Sequence, residues 1–335
     1  MVQNSGQFAY ERPILLSAID EQSMIPALSE WVRSNFEIKY LGSSLQKSEY
    51  LRVKVFCSNV FPIVDQIFCD DYPNLAFVLS PTTGLTHIDT DYLQENFIKL
   101  ISLRGRQSFL KEITSTSEFA WGLLLSVWRK IPSASNLETF NTESRGNFIS
   151  RQLKGRELGL IGFGRIGSKV SEYAAAFGMK VSFFDPYYIS PKKQTESTIT
   201  RRSSLDSLLS SSDIVLISAS VLEQDKDNYP LINQRNIQLM PIGSVIINVS
   251  RGIFVDEVAL ENSLIDGRLF GVGLDVLSSE EFSPKGVDRN LHQLRDRGYN
   301  IVITPHIGGM SSDALTLCIT EVLRELENNW TITQA

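Results

Sequence analysis

"RELGLIGFGRIGSKVSEYAAAFGMKVSFFD", residues 156–185, reads as a strand, a glycine turn, a helix and a second strand in one run. The apolar stretch 156–162 is a strand. The segment 165–178 carries Ile166, Val170, Tyr173, Ala174 and Phe177 along one helical face, with Gly178 at its end. The stretch 180–185 is again a strand, and it closes on Asp185. A strand, a crossover helix and a strand make a parallel pair, so the sheet here is parallel.

The turn is Gly162-x-Gly164-x-x-Gly167. That spacing has a physical use at this place. Gly162 makes the tight turn, Gly164 lets a pyrophosphate approach the backbone, and Gly167 lets the helix pack on its strand. The helix start then offers N–H groups and partial positive charge to phosphates. Asp185, at the end of the next strand, takes both ribose hydroxyls of an adenosine. A 2′-phosphate there would be repelled, and "DPYY" (185–188) brings no arginine. The cofactor expected is therefore NAD rather than NADP.

Outward from this unit the pattern repeats. Further strands are predicted at 213–218, 244–250, 271–276 and 300–304, and before it at 12–18, 53–58, 75–80 and 97–103. Helical patterns lie between them, at 24–36 and, capped by Ser117, at 116–131. The serine-rich segment 195–213 keeps Leu205, Leu208 and Leu209 at helical spacing, so it is not a linker. Near-continuous apolar strands alternating with helices mean sheets covered on both faces. The fold class is α/β, with two doubly wound parallel-sheet domains and a cleft between them.

Composition agrees. The chain has 335 residues, enough for two domains, with 42% hydrophobic and 21% charged residues. Net charge is 32 − 38 = −6 and no basic run occurs, which argues against nucleic acid or an anionic membrane as partner. Cys57, Cys69 and Cys318 have no metal-ligand spacing and read as free, mostly buried thiols of a reducing compartment. No leader pattern is visible at the start and no apolar run approaches a membrane span, so a cytoplasmic protein is expected.

Four residues stand at or just beyond predicted strand ends in the glycine-loop domain. Arg251 precedes Gly252 after one strand. Asp275 ends another, with Glu280 five residues on. His306 follows Pro305 and the apolar run 301–303. Taken singly, Arg251 also fits a turn-capping surface arginine, Glu280 a solvated carboxylate, Asp275 a cap and His306 a packed core histidine. Together at the rim where such sheets bind ligands, an arginine, a carboxylate and a histidine suit hydride-transfer chemistry.

The chain resembles the D-isomer-specific 2-hydroxyacid dehydrogenases over nearly its whole length. The resemblance rests on "SPTTGLTHID" (80–89), "STSEFAWGLLL" (115–125), "LKGRELGLIGFGRIG" (153–167), "INVSRGIFVDEVAL" (247–260), "GVGLDVLSSE" (271–280) and "ITPHIGG" (303–309). It implies a flavodoxin-like substrate domain of residues 1–118 plus 307–335 and a Rossmann NAD-binding domain of 119–306. It implies Arg251 as the residue that binds substrate and polarises the 2-oxo group. His306 is the implied acid/base and Glu280 its hydrogen-bonded partner. The amides of Thr83 and Gly84 are implied to hold the substrate carboxylate. Arg165 and Ile166 would meet the pyrophosphate by backbone, and Asp275 the nicotinamide carboxamide. Ser218, Val249, Ser250 and Gly309 would complete the cofactor site. The implied partners are a (R)-2-hydroxy acid or 2-oxo acid and a second copy of the chain, in a homodimer.

Some positions depart from the family pattern. Ser80 stands where phosphoglycerate-oxidising members often carry arginine, which speaks against that substrate. Ser218-Ala219-Ser220 replaces the family's His-x-Pro. Ala120 replaces a common threonine. The connection 103–112 is long, and Arg104 or Arg106 in it is a candidate for reaching an anionic or sugar-derived substrate tail. An alternative of a different class is an NAD(H)-sensing scaffold or corepressor without turnover.

Overall fold

The computed structural model describes residues 11–137, 145–189, 199–221, 229–278 and 289–330. The chain forms two compact units. One runs to Glu112 and resumes at Ser311, and the other is Ile113–Met310. Those breaks fall a few residues from the 118 and 306 expected.

The first unit is one parallel sheet with strand order β2-β1-β3-β4-β5. The strands are β1 (Ile14–Ser17), β2 (Glu37–Tyr40), β3 (Val53–Cys57), β4 (Phe77–Ser80) and β5 (Lys99–Ser102). Successive side chains serve opposite faces. Leu15, Val55, Phe77 and Leu79 join one core, and Ile14, Leu16, Phe56 and Val78 the other. The C-terminal helix Ser312–Trp330 covers the first face with Ile319, Val322, Leu323, Leu326 and Trp330. The helix predicted over 24–36 is broken. Pro26 sits in a 3₁₀ turn, Ile25–Ala27, and Ser29 caps a new helix, Glu30–Asn35, by accepting from Val32 N.

The second unit is a parallel sheet of order β12-β11-β10-β9-β6-β7-β8. Its strands are β6 (Glu157–Ile161), β7 (Lys180–Phe184), β8 (Ile199–Arg201), β9 (Ile214–Ile217), β10 (Ser244–Asn248), β11 (Leu269–Leu274) and β12 (Ile301–Ile303). Strand order reverses between β6 and β9, the place where doubly wound sheets bind dinucleotides. Helix α1 (Ser115–Trp128) belongs to this unit. Its Ala120, Leu123, Leu124 and Val127 share a core with Leu160, Leu216 and Ile247. The fit is close at β11, where a Cβ on Gly273 would lie 2.8 Å from Leu123 Cγ and 2.9 Å from Ile247 Cδ1. Ser117 is not the cap of this helix. It is buried inside the first turn, and Thr114 precedes it.

Two strands were not predicted. β2 reads EIKY and is half-buried throughout, and β8 is three residues long and partly exposed. Both lie at sheet edges and read EIKY and ITR, so unlike the edge strands β5 and β12 they carry no apolar run.

Candidate functional site

The glycine turn leads from β6 into helix α2 (Arg165–Ala176), with Gly164 as its N-cap. Gly162 has φ +87°, and a Cβ there would meet Ala219 backbone at 2.7 Å. A Cβ on Gly167 would lie 2.4 Å from Gly162 O. Neither position accepts a side chain without displacing backbone. Gly164 differs, since its Cβ direction meets nothing within 4 Å. That open approach above a helix start is what a pyrophosphate needs. The first intrahelical bond is Ser168 N to Gly164 O, so the amides of Ile166 and Gly167 lie in the turn before it. The Arg165 side chain turns away, donating to Ile113 O at 2.6 Å.

Asp185 stands just beyond β7. Its Oδ2 accepts from Phe163 N and its Oδ1 from Tyr187 N, each at 2.9 Å. These bonds fix the carboxylate at the lip of a cavity of about 430 Å³, lined by Gly162, Asp185, Tyr187, Ser218, Ala219 and Phe254 among others. A carboxylate has about four acceptor sites, so room remains for ribose hydroxyls. The Ser218 hydroxyl donates to Gly162 O at 3.1 Å, which ties the serine that replaces a histidine to the turn itself. The residues present therefore fit a dinucleotide.

One neighbour was missed from sequence. Arg201 Nη2 donates to Asp185 O at 3.0 Å, and its guanidinium lies over the Tyr188 ring. Sixteen positions separate Arg201 from Asp185. Only the pairing of β7 with β8 brings it there.

The loop after β10 carries Arg251. Asn248 braces it, donating to Arg251 O at 2.9 Å and accepting from Ser250 N at 3.0 Å. The Ser250 hydroxyl donates to Ala219 O, and Val249 and Ser250 are both buried. Gly252 is required here, because its Cβ would fall 2.1 Å from Leu277 C. The loops after β10 and β11 therefore touch.

His306 follows β12 with φ +54°, in the left-handed region that a non-glycine residue rarely adopts. Its amide donates to Asp275 O at 2.9 Å. Asp275, 1% exposed, then receives Thr304 Oγ1 at 2.7 Å, Ile307 N at 2.9 Å and Gly308 N at 2.8 Å on its carboxylate. Burial lowers the His306 pKa first and the Arg251 charge lowers it further, while Asp275 opposes both. Gly309 follows on the same turn and is exposed.

Glu280 lies outside the described residues. The segment that leads to it is anchored by Glu257, a buried carboxylate that accepts from Ser278 N at 2.6 Å.

In the first unit, Thr83 and Gly84 form the loop after β4. Thr82 Oγ1 donates to Gly84 O at 2.8 Å, and Ser80 Oγ lies 2.9 Å from Thr82 Oγ1. Arg106 is committed elsewhere. It pairs with Glu321 at 2.9 Å and Glu325 at 3.1 Å on the C-terminal helix, so its expected reach toward a substrate tail is corrected to a structural tie. Arg104 is exposed on the same connection.

Among the described residues, no group of His, Cys, Asp and Glu is arranged to hold a metal ion, and no helix is long and apolar enough to cross a membrane. Cys57 and Cys69 are buried free thiols with pKa values pushed up by burial to about 12 and about 11.

Comparison with known proteins agrees with this geometry. Residues 121–308 match the family described as D-isomer specific 2-hydroxyacid dehydrogenase, NAD binding domain. The chain is 33% identical over 242 residues to a hydroxypyruvate reductase of Thermotoga maritima, covering 72% of this chain and 73% of that one. It is 32% identical to an aromatic 2-oxoacid reductase of Clostridium sporogenes, covering 76% and 75%. Among solved structures, the D-lactate dehydrogenase of Aquifex aeolicus complexed with NAD and lactic acid superposes with a TM-score of 0.73 at 25% identity, covering 96% of each chain. With the glycine turn, Asp185 and the rim histidine already described, these matches establish that the chain belongs to the D-isomer-specific 2-hydroxyacid dehydrogenase family of NAD-dependent oxidoreductases.

Proposed function

We propose that this chain catalyses reversible hydride transfer between NAD(H) and a (R)-2-hydroxy acid/2-oxo acid pair, with Arg251, His306 and Glu280 as its catalytic residues. The observation that carries the reading is the placement of Arg251 and His306. Arg251 stands just beyond β10 and His306 just beyond β12, at strand ends of the sheet that carries the glycine turn. The likeness to reductases of hydroxypyruvate and of aromatic 2-oxo acids supports the same chemistry.

NAD(H), when bound, supplies or accepts the hydride. The protein does the rest. Arg251 holds the substrate carboxylate and polarises the 2-oxo group. His306 gives a proton to the 2-oxo oxygen in reduction and takes it back in oxidation. Glu280 accepts from the imidazole and raises its pKa against burial and Arg251. The amides of Thr83 and Gly84 take the carboxylate from the first unit, which is the substrate domain in this reading. In the nucleotide unit the amides of Arg165 and Ile166 meet the pyrophosphate, and Asp185 binds the adenosine ribose. Ser218, Val249, Ser250 and Gly309 line the rest of the cofactor site. Three acceptor sites of the Asp275 carboxylate are occupied, so at most one remains for the nicotinamide carboxamide. The working form proposed is a cytoplasmic homodimer.

NADH consumption with a panel of 2-oxo acids tests the reading, with Arg251→Ala and His306→Ala beside the wild type. Turnover that both variants lower by about 10²-fold or more supports it. Tight NADH binding without turnover on any acid would replace it with a sensor or scaffold role.

A further inference from the structure

Arg165 has a side chain that the proposed reaction does not use. Its amide belongs to the glycine turn, while its guanidinium crosses to Ile113 O at 2.6 Å. Ile113 is the first residue of the nucleotide unit and is buried. Helix α1 begins two residues later, at Ser115. Arg165 therefore joins the pyrophosphate turn, by its backbone, to the start of α1, by its side chain. A guanidinium on a carbonyl makes a charge-assisted bond, roughly twice as strong as a neutral one.

The start of α1 is packed in turn on the residues around His306. The Ser115 hydroxyl donates to Gly308 O at 3.1 Å. A Cβ on Gly308 would lie 2.8 Å from Asp275 Oδ2 and 3.4 Å from both Thr116 Cγ2 and Phe119 Cδ1. The turn is thus wedged between Asp275 and the first residues of α1. His306 sits in it with φ +54°, a conformation that persists only where its surroundings enforce it. Asp275 grips the turn from one side, and α1 is the wall on the other.

Helix α1 can pass a displacement on because it is braced. Trp121 meets Tyr173 of α2 and Phe177 just beyond it edge-on, with ring centroids 6.3 and 4.9 Å apart. Interiors packed in this way transmit a shift rather than absorb it.

We propose that Arg165 is a positioning residue for hydride transfer: through Ile113, Ser115 and Gly308, its side chain ties the pyrophosphate turn to the backbone that holds His306. The proposal rests on the function proposed above, with His306 as acid/base. A dinucleotide seated on the turn fixes the Arg165 backbone, and with it the guanidinium that holds the start of α1. The imidazole is then placed most firmly when the cofactor is present.

The test is the single-turnover rate of NADH oxidation at saturating cofactor with the best of a panel of 2-oxo acids. NADH affinity is read beside it by fluorescence titration. The proteins are wild type, Arg165→Met, Arg165→Lys, Ser115→Ala and the double variant Arg165→Met/Ser115→Ala. Arg165→Met is expected to lower the rate by about 10-fold or more, as a displaced catalytic group does. Its NADH affinity should change less than about threefold, since the backbone amides of the turn remain. Arg165→Lys, which keeps a cationic donor, should recover part of the rate. Ser115→Ala should act in the same direction as Arg165→Met. The double variant should stay within about twofold of the slower single variant, because residues on one path do not add. Lost NADH affinity with an intact rate at saturation would assign the guanidinium to the pyrophosphate and overturn the proposal. So would effects that multiply in the double variant. So would a wild-type rate in either Arg165→Met or Ser115→Ala, and the latter decides alone should Arg165→Met fail to fold. Turnover that needs His306 but neither Arg165 nor Ser115 leaves the oxidoreductase reading standing and sinks this one. No turnover with any acid sinks both.

Discussion

The His306 amide donates to the carbonyl of Asp275 at 2.9 Å, and the Asp275 carboxylate collects three further donors from residues 304–308. One buried aspartate thus holds the backbone of the histidine at both ends of its turn. The left-handed conformation of His306 costs of order 1 kcal/mol or more and persists only where the surroundings enforce it. Asp275 supplies that enforcement. The asparagine variant keeps the shape but turns one acceptor into a donor facing an N–H or hydroxyl. Asp275→Asn is expected to lower the single-turnover rate of hydride transfer by about 10²-fold, the scale of a displaced catalytic group. NADH affinity should change less than about fivefold, measured by fluorescence titration. Loss of affinity with an intact rate would assign Asp275 to the cofactor alone.

The pH dependence follows from the causes of the His306 shift. Burial and Arg251 hold its pKa below the ordinary histidine value of 6.5, and Asp275 offsets them in part. Reduction needs the protonated imidazole. Its kcat/KM should therefore be greatest at low pH and fall as pH rises through the kinetic pKa. Oxidation should show the mirror profile. Glu280 is the proposed counterweight, so Glu280→Gln should move the reduction profile to lower pH. The measurement is kcat/KM from pH 5 to 9 for both enzymes, roughly centred on the histidine range. A profile that moves upward in the variant would remove Glu280 from its assigned role.

Much of this was legible because the physics is local. Strands buried on both faces need continuous apolar runs; all eight interior strands carry one, and so do the edge strands β5 and β12. Gly162 and Gly167 mark themselves, since backbone stands where their Cβ atoms would be. What stayed hidden depends on contacts distant in sequence. The edge strands β2 and β8 have no apolar signature. Arg201 reaches Asp185 only through the β7–β8 pairing. Arg106 looked free for a ligand until the C-terminal helix, some two hundred positions away, brought Glu321 and Glu325 to it. The three-donor grip of Asp275 is likewise a tertiary fact, since the motif "GLDV" says only that a strand ends there.

Arg201 makes a cofactor swap predictable. Asp185 disfavours a 2′-phosphate by charge, while a guanidinium already touches its carbonyl. Removing the carboxylate leaves a cation beside the ribose position. Asp185→Ser is expected to raise kcat/KM for NADPH by about 10-fold or more and to lower it for NADH, the scale of one charge-assisted hydrogen bond gained or lost. Adding Arg201→Ala should abolish the NADPH gain. If the double variant keeps the gain, Arg201 has no part in selectivity. Comparing both cofactors at saturating 2-oxo acid decides it.

Arg106 bears on stability rather than on substrate. Its guanidinium joins the connection after β5 to Glu321 and Glu325, and the Glu321 side chain is only 10% exposed. Arg106 also holds the Glu325 carboxyl below its usual pKa, so the pair is ionised at neutral pH. Arg106→Ala leaves Glu321 largely buried without that partner. The cost is about 1–3 kcal/mol, a fall in melting temperature of several degrees for a unit of this size by the usual scaling. KM for the best 2-oxo acid should stay within about twofold, because the side chain is spent on the helix. Arg324, which also pairs with Glu321 at 2.8 Å, sets the lower end of the range by remaining in place. Thermal unfolding followed by circular dichroism, with KM measured on the same preparation, separates the two roles. An unchanged melting temperature with a tenfold rise in KM would return Arg106 to the substrate.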